Sequence, residues 1–123
     1  MLLLPRAVKV YVATQPVRLN RSFDGLSNVV REVMGKDPLC GHVFVFVNRR
    51  RTMVKLLVWT RGGFTILHKR LERGRFSRLF AADEQRTHVE IDAHELAALL
   101  EGIGLSTGRH QVRWEPSRHK RVA

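Results

Sequence analysis

The chain has 123 residues and 44% apolar content, enough to bury the core of one domain and too much for a disordered chain. Its 22 Lys and Arg stand against 11 Asp and Glu, a net charge of +11, so the expected partner is a polyanion, nucleic acid before an anionic membrane surface. A single cysteine, Cys40, excludes an internal disulfide and a zinc ribbon, and it fits a reduced, cytoplasmic setting.

The opening MLLLP is too short for the apolar stretch of a secretion signal and stops at Pro5; no apolar run approaches the ~18 residues that span a bilayer. No export signal and no membrane partner are expected. AVKVYVAT (7–14) alternates and is rich in β-branched residues, which predicts a strand. Over 22–34, Phe23, Leu26, Val29, Val30, Val33 and Met34 recur at helical spacing, with Gly35 placed to end the helix in a left-handed turn. KDPLCG is a loop.

Strands at 42–47, 53–59 and 64–71 follow, joined through NRRRT and TRGG, both of turn-forming composition. A two-residue Arg61-Gly62 turn sets Trp59 opposite Phe64, Leu57 opposite Ile66, Lys55 opposite His68 and Met53 opposite Arg70. A five-residue NRRRT loop sets Val47 opposite Met53 and Val45 opposite Lys55, and a slip of one residue exchanges the two faces. LERGRFSRLFAADEQRT has no periodicity and is expected to be a loop, and HVEI a short strand. Residues 92–102 predict the clearest helix, with Asp92 as N-cap, Glu95 three positions on to complete a capping-box-like pair, and Gly102 or Gly104 to stop it. The expected fold is α+β: an antiparallel β-meander of three to four strands packed with two helices. It occupies one domain over 1–104, with a basic flexible tail over 105–123.

The charge is uneven. Residues 48–75 carry nine basic side chains, Arg49, Arg50, Arg51, Lys55, Arg61, Lys69, Arg70, Arg73 and Arg75, against the single acid Glu72. The tail adds Arg109, Arg113, Arg118, Lys120 and Arg121 against Glu115, while 83–101 is acidic. Charges on strands and turns do discourage edge-to-edge pairing, which accounts for one or two of them. Nine within 28 residues exceed that need and read as contacts to phosphates, which demand no unique geometry. Trp59 reads as core filler in preference to a stacking platform.

Catalytic chemistry is sparse. TRGGF has the spacing of neither a P-loop nor a dinucleotide fingerprint. His88, Asp92 and His94 are ordinary residues for a strand and helix start, and no metal is assigned to them. Cys40 and His42 read as a buried thiol and a surface imidazole. Asp24, Asp37 and Asp83 lack the spacing of carboxylates that converge on a divalent ion. No enzyme activity, metal or cofactor is expected.

FDGL (23–26), DPLCGHVFVFVNRRRTMVKLLVW (37–59), KRLERGRF (69–76) and ELAALLEGI (95–103) together resemble the accessory protein TnpB of the insertion sequence 66 family of bacterial transposable elements, which is distinct from the RNA-guided nuclease of the same name. The similarity covers about residues 5–104. It implies a small protein that works beside a separate, larger transposase, with no catalytic residues assigned. The family's basic positions fall on Arg49, Arg50, Lys55, Lys69, Arg70 and Arg73, with Gly74 and Phe76 in the same motif. Thr60 and Arg61 replace an acid–glycine pair after Trp59, and GRFSRLF lacks the Trp-Pro pair usual there. The expectation is a non-catalytic accessory factor that binds DNA through the phosphate contacts of a basic hairpin and tail. The alternative is a module that docks on the transposase or on another accessory protein of the element.

Overall fold

The computed structural model describes residues 8–102. Seven elements follow in chain order: β1 (Val10–Ala13), α1 (Phe23–Glu32), β2 (Val43–Val47), β3 (Met53–Thr60), β4 (Gly63–Arg70), β5 (His88–Ile91) and α2 (Ala93–Leu100). The strands make one five-stranded sheet in the order β4-β3-β2-β1-β5. The fold class is α+β as expected, but the sheet is mixed and larger than the expected meander of three to four antiparallel strands.

The difference lies with β1. Helix α1 carries the chain back along the sheet, so β2 starts at the same end as β1 and the two pair in parallel, Val10 opposite Val43. A tight turn would have forced them antiparallel. On its other side β1 pairs antiparallel with β5, Val10 opposite Ile91. Strand β1 is therefore interior, and all four of its residues are buried.

Alternation along the strands divides the core in two. On one side Tyr11, Phe44, Phe46 and Leu57 pack with Leu26, Val29, Val30 and Met34 of the α1 region. On the other, Val10, Val12, Val45, Val54, Leu56, Val89 and Ile91 pack with Leu96 and Leu99 of α2 and with Phe76. Helix α1 buries only a stripe because its apolar residues recur at helical spacing, and Gly35 follows it at φ +65°. Helix α2 starts in a complete capping box: Asp92 accepts from the Glu95 N–H at 2.7 Å, and the Asp92 N–H donates to Glu95 Oε1 at 3.1 Å.

The β3–β4 register is the expected one, from Trp59 opposite Phe64 to Met53 opposite Arg70. Arg61 and Gly62, at φ +22° and +80°, both take positive values, as a two-residue hairpin turn requires. The β2–β3 register is shifted by one residue: Val47 opposes Val54 and Phe46 opposes Lys55. Asn48 is the cause. Its N–H donates to the Met53 carbonyl, and its Oδ1 accepts from the N–H groups of Thr52 (2.9 Å) and Met53 (3.0 Å). These bonds extend the hairpin by one pair beyond Val47, so Phe44 and Phe46, not Val43 and Val45, share the α1 face with Lys55 and Leu57. Residues 71–87 form no helix or strand, as expected.

Candidate nucleic-acid interface

Topology places the carboxyl-terminal ends of β1 and β2 side by side. The start of β3, the end of β4 and the start of β5 lie at the same end of the sheet. The segments that leave this end are 14–18, 48–52 and 71–87, and they hold most of the described arginines. The Val17 N–H donates to the Val47 carbonyl at 3.1 Å, which brings the first segment against the second. Arg18 then lines one shallow depression with Arg49 and Arg50.

Arg49 and Arg50 are exposed at the β2–β3 tip, and no acidic side chain among the described residues is in ion-pair contact with either. Arg51 differs. It is half-buried at φ +58°, a left-handed conformation that costs a non-glycine residue of order 1 kcal/mol and persists only where neighbours hold it. Here the Arg51 N–H donates to the Asn48 carbonyl at 3.0 Å, and its own carbonyl accepts from the Phe76 N–H at 2.6 Å. The Leu71 N–H donates to the Thr52 carbonyl at 2.8 Å. The loop after β4 is thus laced to the arginine turn, with Phe76 fully buried beneath it. Partial burial lowers the Arg51 pKa from its usual value, and the charges of Arg78 and Arg75 lower it further. Three guanidinium groups therefore share one corner.

Above that corner is an open pocket of about 160 Å³. Val12, Val47, Leu79, Phe80 and Leu99 form its apolar part, and Thr14, Gln15, Asn48, Arg49, Arg51, Ser77 and Arg78 its polar part.

The other expected contacts separate. Lys55 is half-buried on the α1 face, where its Nζ donates to the Arg21 carbonyl at 2.8 Å just ahead of α1. Lys69 donates to the Leu100 carbonyl at the end of α2, where a cation meets the negative pole of a helix. Arg70 pairs with Glu72 at 3.2 Å, exposed on both sides. Arg73 and Arg75 are exposed on the loop after β4. Arg61 sits in the β3–β4 turn at the opposite end of the sheet. Arg109, Arg113, Arg118, Lys120 and Arg121 lie outside the described residues.

Arg18 and Arg78 were not among the sequence candidates. The signal for Arg18 was the strand–helix–strand order of 7–47, which, read as a βαβ unit, brings whatever follows β1 against whatever follows β2; Arg78 follows β4 and comes to the corner with the loop that the Phe76 N–H ties to the Arg51 carbonyl. Arg86 also reaches this end, but Glu84 holds it through two side-chain bonds of 2.9 and 2.6 Å, and those bonds pull the Glu84 pKa down to about 2. Cys40 is exposed, not buried as expected, and His42 Nδ1 accepts from the Lys9 N–H at 3.0 Å. His88 Nδ1 lies 2.7 Å from the Thr87 hydroxyl at one end of β5, while Asp92 beyond the other end is committed to the α2 cap. Among the described residues no group of three or more His, Cys, Asp or Glu converges, and no helix is long and apolar enough to cross a membrane.

Comparison with known proteins gives a family. The family model for the IS66 Orf2-like protein matches residues 8–110. The uncharacterised protein y4hO of Sinorhizobium fredii is 34% identical over 113 residues, 90% of this chain and 92% of that one. The uncharacterised protein y4jC of the same organism is 37% identical over 71 residues, 58% of this chain; the match spans 61% of y4jC. No solved structure matches. The matched span takes in the whole sheet, both helices and the arginine corner, and the chain belongs to the IS66 Orf2-like family of transposition-associated accessory proteins.

Proposed function

We propose that the protein serves transposition by binding DNA, in the cytoplasm and beside the element's transposase, without catalysing strand chemistry. The observation that carries this reading is the gathering of Arg18, Arg49, Arg50, Arg51, Arg75 and Arg78 from three separate segments at one end of the sheet. Burial and repulsion work against such a cluster, so a polyanion that neutralises it gains more than it would from the same charges dispersed. Two of the acids on the loop after β4 are already engaged, Glu84 by Arg86 and Glu72 by Arg70, which supports a role without catalysis. Incubation of the full chain with DNA in magnesium or manganese is expected to leave the strands uncut.

The test is a titration of the full chain with element-end and scrambled duplexes at several salt concentrations. Neutralising about four to six phosphates gives log K a slope near −3.6 to −5.4 against log salt, at roughly 0.9 per phosphate, and similar affinity for both sequences. No binding at low salt refutes the reading. A second reading, docking on the transposase, is favoured by β4, which among the described residues is an edge strand, with Leu67 44% exposed. It predicts that substitutions on β4, not those at the arginine corner, weaken transposase capture.

A further inference from the structure

Sequence-independent phosphate contact needs only charge on an open surface. The arginine corner has something more, a pocket whose lining is partly apolar. Its volume of about 160 Å³ is below the ~300 Å³ at which pockets for drug-sized ligands begin, too small to enclose a whole nucleotide. It is close to the ~150 Å³ of an apolar cavity known to hold one benzene ring. The space therefore suits a single flat heterocycle. Phe80 and Leu79 line it with apolar surface against which a ring can pack, Asn48 and Gln15 line it with amide groups, and Arg49 and Arg51 add guanidinium groups to the same lining.

We infer that this pocket receives one unpaired nucleotide of a DNA strand, the base seated against Phe80 and Leu79 and its phosphate against Arg49 and Arg51. The inference rests on the DNA-binding reading and deepens it, because it turns a general phosphate surface into one that prefers DNA with a base free of its helix. Arg51 is suited to the task by its backbone. The left-handed turn is fastened by Asn48 on one side and by the Phe76 N–H on the other, so the guanidinium is presented from a fixed base and not from a mobile tip. Its neighbours Arg75 and Arg78 raise the local positive potential, and a phosphate entering there relieves their mutual repulsion. A fully paired duplex reaches only the arginines, since its bases are closed to the pocket.

The experiment uses the full chain and two duplexes of one sequence, fully paired or carrying a single unpaired adenine, in a fluorescence anisotropy titration at fixed salt. The expected result is at least about fivefold tighter binding of the bulged duplex, the lower bound of what one base stacked on a protein side chain supplies. 2-Aminopurine at the bulge changes its fluorescence on binding. Ala82→Trp, which fills the pocket from an exposed wall position, abolishes the preference and leaves paired-duplex affinity as it was. Equal affinity for both duplexes together with unchanged 2-aminopurine emission overturns the inference while the phosphate reading stands. A preference that survives Ala82→Trp also overturns it. If neither duplex binds, the phosphate reading fails, and deoxyadenosine monophosphate titrated into labelled protein decides the pocket separately. Shifts of the Thr14, Asn48 and Leu79 amides then support it, and their absence refutes it.

Discussion

Phe76→Ala tests the link between the loop after β4 and the arginine corner. Phe76 is fully buried in a stretch with no helix or strand, packed with Val54, Leu56 and Leu99, and its N–H holds the Arg51 carbonyl. Truncating a buried phenylalanine costs about 3–5 kcal/mol, the transfer of the ring plus the cavity it leaves. A loop without ladder hydrogen bonds relaxes into such a cavity more readily than a strand does, so the expected cost is at the low end, about 3 kcal/mol. Stability of small domains lies near 5–15 kcal/mol, so the variant still folds at low temperature. Urea unfolding followed by far-UV circular dichroism reads the effect as a lower midpoint at an unchanged m-value. Phe76→Leu, which keeps most of the volume, costs about 1 kcal/mol. Alanine keeps the backbone N–H that holds the Arg51 carbonyl but loses the buried ring that seats the loop, so Phe76→Ala also weakens DNA binding under conditions where the variant is folded. A cost below about 1 kcal/mol refutes the reasoning: Phe76 would then not be a core residue, and the Arg51 turn would not depend on it.

Arg49→Ala with Arg50→Ala removes two exposed charges and flattens the salt dependence of DNA affinity by about 1.8, with the melting temperature unchanged. Arg61→Ala leaves that slope intact, since the length of β3 puts it roughly 25 Å from the corner, about three screening lengths at physiological salt. Asp92→Ala loses the capping box and lowers stability by about 1 kcal/mol in thermal melts, and Asp92→Ser restores most of it. His88 has a pKa lowered from 6.5 by burial, with Lys36 and Arg86 adding to the effect. The unfolded chain therefore takes up the proton first, and stability falls as pH drops below about 6.5. His88→Gln flattens this decline in urea midpoints measured from pH 7.5 to 5, and an unchanged decline refutes the assignment.

The parts of the fold legible in the sequence are those governed by neighbouring residues. The α2 cap needs only Asp92 and Glu95 three positions apart, and the β3–β4 register only the Arg61-Gly62 turn. The β2–β3 register failed by one residue because a side chain decided it. Asn48 adds a closing pair that loop length alone does not reveal. The parallel pairing of β1 and β2 depends on where α1 returns the chain, a long-range matter, and with it went Arg18; Arg78 was missed because the bond from the Phe76 N–H to the Arg51 carbonyl that brings its loop to the corner is also non-local. Lys55 and Lys69 showed their charge but not their partners, since the carbonyls of Arg21 and Leu100 are more than thirty residues away in sequence. Arg49, Arg50 and Arg51 were legible as a group; that Arg51 alone of the three is half-buried goes with its left-handed backbone.

The interior place of β1 bears on how the chain is made. Strand β1 and its partner β5 are separated by most of the described sequence, so the sheet stays open on the β5 side until residue 91 has been synthesised. At ~5–20 residues per second, β1 waits for seconds with its backbone donors and acceptors on that side unpaired. A partly synthesised or truncated chain thus presents a buried-type strand, VYVA, to any other open edge it meets. Strand β5 is what covers that side of β1, and chains cut before His88 are expected to aggregate even though most of the sheet is present.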